Sequence, residues 1–308
     1  MTTIAVVGAG GVGGYFGGRL ARAGVEVNFV ARGNHLEALR ADGLAVRSVA
    51  GDFDVAPVRV TGDAAEVGVA DYVLVCVKTW QLADAIAAIE PLVGDATAIV
   101  TVQNGVEAPD QVATVYGRER VLPGAAEVIA YVEGPGTIRH LGGPGRLTFA
   151  EWDNQPTPRT DWLLTAFTDA GLLARNPDDI WAALWTKFLS VVPGGGLGTA
   201  TGAGYGVLRS RPGTRRLLTE ATTEIRDVAL ALGIELPADV VPNTLAWIDN
   251  LPANGTTSLQ RDILAGRPHE LDAWTGAVVR LGDRAGVPTP VNSFLYEIAA
   301  ARAEGRGS

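Results

Sequence analysis

Ile4-Ala5-Val6-Val7-Gly8-Ala9-Gly10-Gly11-Val12-Gly13 is the stretch on which the reading of this 308-residue chain turns. Four apolar residues form a strand, and the next six spell G-x-G-x-x-G where that strand gives way to a helical pattern over residues 12–23. In such a motif the first glycine allows a tight turn and the second lets backbone approach a pyrophosphate. The third lets the helix pack closely on the sheet, and the helix N-terminus offers its unpaired N–H groups to the anion. The chain holds 39 glycines, so a bare match means little; its place between strand and helix carries the reading. Gly8, Gly10, Gly11, Val12 and Gly13 are therefore expected to bind a dinucleotide.

Outward from this motif, β-branched runs alternate with helical patterns. Strands are expected over residues 25–30, 72–77 and 98–102, and helices over 35–41 and 81–92. The run at 72–77 is nearly all apolar, as in a parallel strand covered on both faces. Two short strand patterns within 137–150 flank Gly142-Gly143-Pro144-Gly145 and read as an antiparallel hairpin. Past residue 178 the strand patterns fade and helices are expected over 180–192, 214–232, 240–251, 270–285 and 291–301. Pro193 with Gly194-Gly195-Gly196 reads as the break that ends the first of them. The fold class is thus α/β: a parallel-sheet domain over 1–178, joined near Asn176-Pro177-Asp178 to an all-helical domain over 179–308.

Composition excludes other classes. Hydrophobic residues make up 47% and charged residues 19%, an ordinary balance for a packed core. A net charge of −9 argues against general affinity for nucleic acid or an anionic membrane. The one cysteine, Cys76, sits in an apolar run as inert core and permits no disulfide within the chain and no zinc site on paired cysteines. His35, His140 and His269 lie far apart, so no metal is expected; His35 and His269 read as exposed loop residues. No apolar stretch has the roughly 18 residues of a membrane span, and no leader precedes the first strand, so a cytoplasmic protein is expected.

The cofactor's identity is read at the end of the second strand. A site for the unphosphorylated dinucleotide usually carries Asp or Glu about 20 residues on. Here Arg32 occupies that place and the first carboxylate is Glu37, so a 2′-phosphate and hence NADP(H) is favoured. Lys78 and Asn104 each end a buried strand at the carboxyl edge, where open α/β sheets bind ligands. Lys78 and Lys187 are the only lysines against 23 arginines, which marks both as places where a compact ammonium able to release a proton is needed.

These features together resemble the ketopantoate reductase (2-dehydropantoate 2-reductase) family. The glycine motif, Arg32, Lys78-Thr79-Trp80-Gln81 and Gln103-Asn104-Gly105 are similar to its cofactor half. Leu184-Trp185-Thr186-Lys187 and the run from Asp262 through Glu270 to Asp272 are similar to its second half. The resemblance implies a Rossmann domain and a helical domain, with NADPH-dependent reduction of a 2-oxo acid in the cleft between them. It implies Lys187 as general acid, Glu270 as its partner, and Ser258 as a substrate-binding hydroxyl. Lys78 and Gln81 would lie near the adenosine, Asn104 near the nicotinamide ribose and Ala130 near the carboxamide. The residues agree with that chemistry. Lys187 borders an apolar helical stripe of Trp181, Leu184, Trp185, Phe188 and Val192, where partial desolvation lowers a lysine's pKa toward neutrality. Glu270 opens a helical pattern and also reads as a partner of the helix dipole.

The chain departs from that family on the substrate side. Val191 and Gly195 stand where members commonly place Asn, four and eight residues after the lysine, and Gly255 replaces a further Asn. A carbonyl compound less polar or bulkier than ketopantoate is then expected to suit the pocket, with Gly195 making room for it. A dehydrogenase for another ketone, and a non-catalytic NADP(H) sensor, stand as alternatives; the pairing of Lys187 with Glu270 speaks against the sensor. A homodimer remains open.

Overall fold

In the computed structural model, which describes residues 2–305, the β-branched runs become strands of two sheets and the later periodic segments become helices. The strands are β1 (Thr3–Val7), β2 (Glu26–Val30), β3 (Leu44–Ser48), β4 (Phe53–Val55), β5 (Arg59–Thr61), β6 (Tyr72–Val75), β7 (Ala98–Thr101), β8 (Val121–Leu122), β9 (Gly124–Gly134), β10 (Thr137–Phe149) and β11 (Leu173–Arg175). Between them run α1 (Gly11–Arg22), α2 (Gly33–Asp42), α3 (Leu82–Ala88), α4 (Ala108–Tyr116) and α5 (Pro158–Asp169). Then come α6 (Ile180–Thr201), α7 (Tyr205–Ser210), α8 (Pro212–Ala231), α9 (Val240–Asp249), α10 (Ser258–Leu264), α11 (Ala277–Ala285) and α12 (Pro290–Glu304). Contacts group the chain into two units: residues up to Gln103 with Ala108–Ile180, and Asn104–Glu107 with Trp181 onward. The short excursion of Asn104–Glu107 to the helical unit is fastened by an ion pair from Arg280 to Glu107 at 2.8 Å.

The first unit is built on a six-stranded parallel sheet in the order β5-β2-β1-β6-β7-β8. Numbered within that sheet alone, the order is 3-2-1-4-5-6, the doubly wound arrangement with its switch point between β1 and β6. Alternation along β1 sends Ile4 and Val6 to one buried cluster and Ala5 and Val7 to another, so both faces are covered. A second sheet, β11-β10-β3-β4 with β9 on β10, adds to β10 four strands that local patterning leaves unread. Helix α1 lies against both sheets, and its glycines make this possible. A Cβ at Gly17 would sit 2.6 Å from Phe29 of the first sheet, and one at Gly14 2.6 Å from Ile138 of the second.

Three expectations need correction. Residues 137–150 are not a hairpin: β10 runs unbroken from Thr137 to Phe149, and the reversal lies just before it, between β9 and β10. The glycine cluster mimics a turn locally, but Gly142, Gly143 and Gly145 take positive φ to make bulges where the register shifts against β9. The expected helix over 81–92 is shorter, because Pro91 allows only a 3-10 turn after α3. Helix α6 does not break at Pro193 but continues to Thr201. A proline there costs about 3 kcal/mol and each glycine about 1. Burial of Val192 to Thr199 offsets that cost: bare backbone at Gly194, Gly195 and Gly196 lets Tyr205, Trp274 and Leu295 pack directly on the helix.

His140 is buried in the second sheet, its ring tilted by 37° against that of Tyr15 with centroids 4.3 Å apart. It is bonded to Ser48 Oγ at 2.8 Å and the Gly142 carbonyl at 2.9 Å. Burial holds its pKa below the usual value; the Gly142 carbonyl opposes the shift and the Arg19 charge adds to it. The unfolded chain takes up this proton near the ordinary pKa of about 6.5 and the folded one only at lower pH, so stability rises with pH between the two. The contribution is complete above about pH 6.5 and is lost as pH falls through the folded value. Thermal midpoints from pH 8 to 5 should therefore drop in acid, and His140→Gln should flatten that slope; an unchanged slope would rule His140 out as its source.

Candidate active site

The four glycines of the motif do different things. Gly8 has φ +95° and makes the turn, and a Cβ on it would touch Val77 at 3.0 Å. Gly10, the N-cap of α1, has no neighbour within 4 Å of a built Cβ, so its outer side is open. Gly13 is closed: its Cβ would lie 2.1 Å from the Gly8 carbonyl oxygen. Gly11 is closed from the other side, 2.2 Å from the carbonyl oxygen of Ala130. Ala130 on β9 therefore lies directly against the first turn of α1, and the fold brings together the two segments that the sequence connected only through a resemblance.

Across the switch point, β6 leads into Val77 and Lys78, and Lys78 stands at the N-cap position of the 3-10 turn Thr79–Gln81. The Lys78 ammonium lies 5.8 Å from the centroid of the exposed Trp80 ring, and Gln81 is exposed beside it. Arg32 is exposed at the N-cap of α2, just beyond β2. Patterning gave two supporting residues no role. Buried Gln103 donates through its amide to the carbonyls of Val75 at 2.7 Å and Val77 at 3.1 Å, pinning the ends of β6 and β7 together. A glutamine inside an apolar strand end is the signal that marks it. The other is His35, which is not an exposed loop residue. It sits half-buried in α2 with Nε2 2.9 Å from the Ala9 carbonyl, while Nδ1 accepts the Gly136 N–H at 3.0 Å.

These residues fit a dinucleotide. The N-terminus of α1 has no side chain capping it, its N-cap side is open, and two cations, Arg32 and Lys78, follow β2 and β6, the strands on either side of β1. Cys76 does not enter this chemistry, since burial pushes its thiol up to about 12.

In the helical unit, Lys187, Val191 and Gly195 follow one another at i, i+4 and i+8 on the continuous α6, and so share a face. Lys187 and Val191 are half-buried. Gly195 is closed: a Cβ there would meet the Trp274 ring at 3.0 Å and Leu259 at 3.3 Å. The expectation that Gly195 makes room for a larger group is therefore wrong, because the Trp274 indole already fills that side. Trp274, 2% exposed, reaches Gly195 from the turn that follows Glu270, to whose carbonyl its backbone N–H donates at 3.0 Å. Glu270 itself is 4% exposed and lies just ahead of a π-helical turn, Asp272–Gly276, that leads into α11. Ser258 is half-buried at the start of α10, beside the Leu259 that touches Gly195. Gly255 also has no room for a side chain, its Cβ falling 2.9 Å from the Pro252 carbonyl. Asn104 is half-buried in the excursion that groups with this unit. His269 does lie in the loop after α10, but it is half-buried and not exposed as expected. Among the described residues no group of three or more His, Cys, Asp or Glu side chains is placed to hold a metal ion.

Two family models cover most of the chain: ketopantoate reductase PanE/ApbA over residues 4–154, and its C-terminal part over 179–303. The 2-dehydropantoate 2-reductase of Mesorhizobium japonicum is 32% identical over 99% of this chain and 98% of its own. The crystal structure of a PanE/ApbA family ketopantoate reductase from Ralstonia eutropha superposes with a TM-score of 0.91 at 31% identity, covering 100% of both chains. A D-mandelate dehydrogenase with NADH and anilino(oxo)acetate shares the fold at a TM-score of 0.90 and 23% identity over 100% of both chains. With both halves of the chain matched in order, and relatives aligned along its whole length, this protein belongs to the ketopantoate reductase family of oxidoreductases acting on CH–OH and C=O groups.

Proposed function

We propose that this enzyme reduces a 2-oxo acid, ketopantoate or a less polar relative, to the 2-hydroxy product with NADPH. The observation that carries the reading is Lys187, half-buried on α6 in register with Val191 and Gly195, in a chain whose glycine motif opens at the switch point of a doubly wound sheet. The reduced nicotinamide, when bound, supplies a hydride to the carbonyl carbon. Lys187 then gives a proton to the oxygen on which charge develops, and Glu270 and Ser258 hold the lysine and the substrate in place. The substrate is a small molecule. A single free, half-buried cysteine and the net charge of −9 support a cytoplasmic setting without nucleic-acid or membrane partners. A homodimer is testable by light scattering.

Arg32 supports NADPH over NADH. Arg32→Ala should weaken NADPH binding by about 1.5–3 kcal/mol, the scale of a charged hydrogen bond, and leave NADH nearly unchanged. Titrating both cofactors into wild type and variant checks this; equal wild-type affinities would count against it.

The α6 wall supports a less polar substrate than ketopantoate. Val191 offers no hydrogen bond, and the Gly195 side is occupied by Trp274 and Leu259. Each unpaired polar group costs about 1–3 kcal/mol, so two losses lower kcat/KM for a hydroxylated substrate by roughly 10²-fold. A 2-oxo acid with a compact branched apolar chain should therefore exceed ketopantoate in kcat/KM. Ketopantoate proving best by a wide margin would reject this pocket reading.

A further inference from the structure

We propose that His35 is a positioning residue for the cofactor, orienting the glycine loop through one fixed tautomer; this rests on the dinucleotide reading of that loop. The ring bridges two segments that flank the start of α1. Its Nδ1 accepts the N–H of Gly136, in the turn between β9 and β10, at 3.0 Å. An acceptor nitrogen carries no proton, so the proton of the neutral ring resides on Nε2, which donates to the Ala9 carbonyl at 2.9 Å.

That donation reaches beyond Ala9. The Ala9–Gly10 peptide is planar and trans, so its carbonyl and the Gly10 N–H point in opposite directions. Holding the carbonyl against His35 aims the Gly10 N–H away from the ring, at the N-cap of α1 whose outer side is open. The other end of the bridge steadies the turn that follows β9. That strand presses the Ala130 carbonyl against Gly11, and Gly136 in turn lies against Ala38 of α2 and accepts the Ala45 N–H at its carbonyl, 2.9 Å away. One imidazole thus holds both the glycine loop and the turn that follows the strand lying beside the first turn of α1. The effect of losing it should appear in cofactor affinity and not in the chemical step, since both hydrogen bonds of the ring go to backbone groups.

The test compares three proteins and one spectrum. In ring-labelled wild type at pH 8, imidazole nitrogen shifts should show Nε2 protonated and Nδ1 bare. His35→Leu, of similar bulk but without either hydrogen bond, should raise the Kd for NADPH about tenfold, while kcat at saturating NADPH stays within twofold. His35→Gln, whose amide both donates and accepts, should recover affinity to within about threefold of wild type. The proposal is overturned by the opposite tautomer, by wild-type affinity in His35→Leu, by kcat falling with Kd unchanged, or by His35→Gln binding no better than His35→Leu. Should the leucine variant not fold, the wild-type tautomer and the glutamine Kd decide. Wild type binding neither NADPH nor NADH would overturn the dinucleotide reading itself, and shows before any substitution is made.

Discussion

Lys187→Ala should lower turnover by about 10²–10⁴-fold, the range for losing a general acid, with the Kd for NADPH within about threefold of wild type. Binding survives because the glycine loop belongs to the other unit. Lys187→Arg is the sharper experiment. Guanidinium keeps the positive charge and most of the bulk but holds its proton at pH values where an ammonium releases it. It should rescue little, and the basic limb of the kcat profile should vanish with it. Near-normal turnover in the arginine variant would make Lys187 an electrostatic or packing residue. Loss of NADPH binding in the alanine variant would instead mean that the lysine holds the cofactor.

The second large effect lies in the glycine motif, where two neighbouring glycines should fail in different ways. A side chain at position 13 meets the Gly8 carbonyl oxygen at 2.1 Å and Cys76 and Val6 at 2.9 Å, none of them the flexible end of a long side chain. Gly13→Val should therefore destabilise the first unit by about 3 kcal/mol or more, roughly 6–12 °C in thermal midpoint, and abolish cofactor binding with it. Gly10→Ala meets nothing within 4 Å and has φ −71°, so it should unfold with the wild-type midpoint. Its methyl group would nevertheless stand on the side from which a pyrophosphate approaches, and the Kd for NADPH should rise at least tenfold. Scanning calorimetry and cofactor titration of both variants separate the two roles. Equal destabilisation of the two, or unaltered NADPH binding in Gly10→Ala, would contradict this division.

Much of the fold was legible because its signals are local. Strand β1, the glycine turn and α1 are contiguous in sequence, so their order could be read without any partner. The buried parallel strands β6 and β7 show themselves as apolar runs, since both faces must be covered. The second sheet was not legible. Strands of three to five residues such as β3, β4 and β11 carry too little pattern of their own, and each exists through a partner far away in the chain, as β3 does through β10. The same limit misplaced the hairpin, because glycines with positive φ serve a bulge and a turn equally well and only the register with β9 chooses between them.

The site divides along the same line. Sequence by itself determined the parallel α/β class, the dinucleotide motif and the two lysines proposed for its chemistry, because backbone conformation at glycine and the ability to release a proton depend on residue type and local order. Tertiary structure alone decided what surrounds them. It carried α6 through Pro193, since packing by Tyr205, Trp274 and Leu295 outweighs a local break. It filled the side of Gly195 with an indole from 79 residues away. It turned His35 from a surface residue into a bridge between Ala9 and Gly136, a role set by two backbone groups 26 residues before it and 101 after. Packing and buried hydrogen bonds join groups that are distant in the chain, and no local pattern records which distant group will arrive.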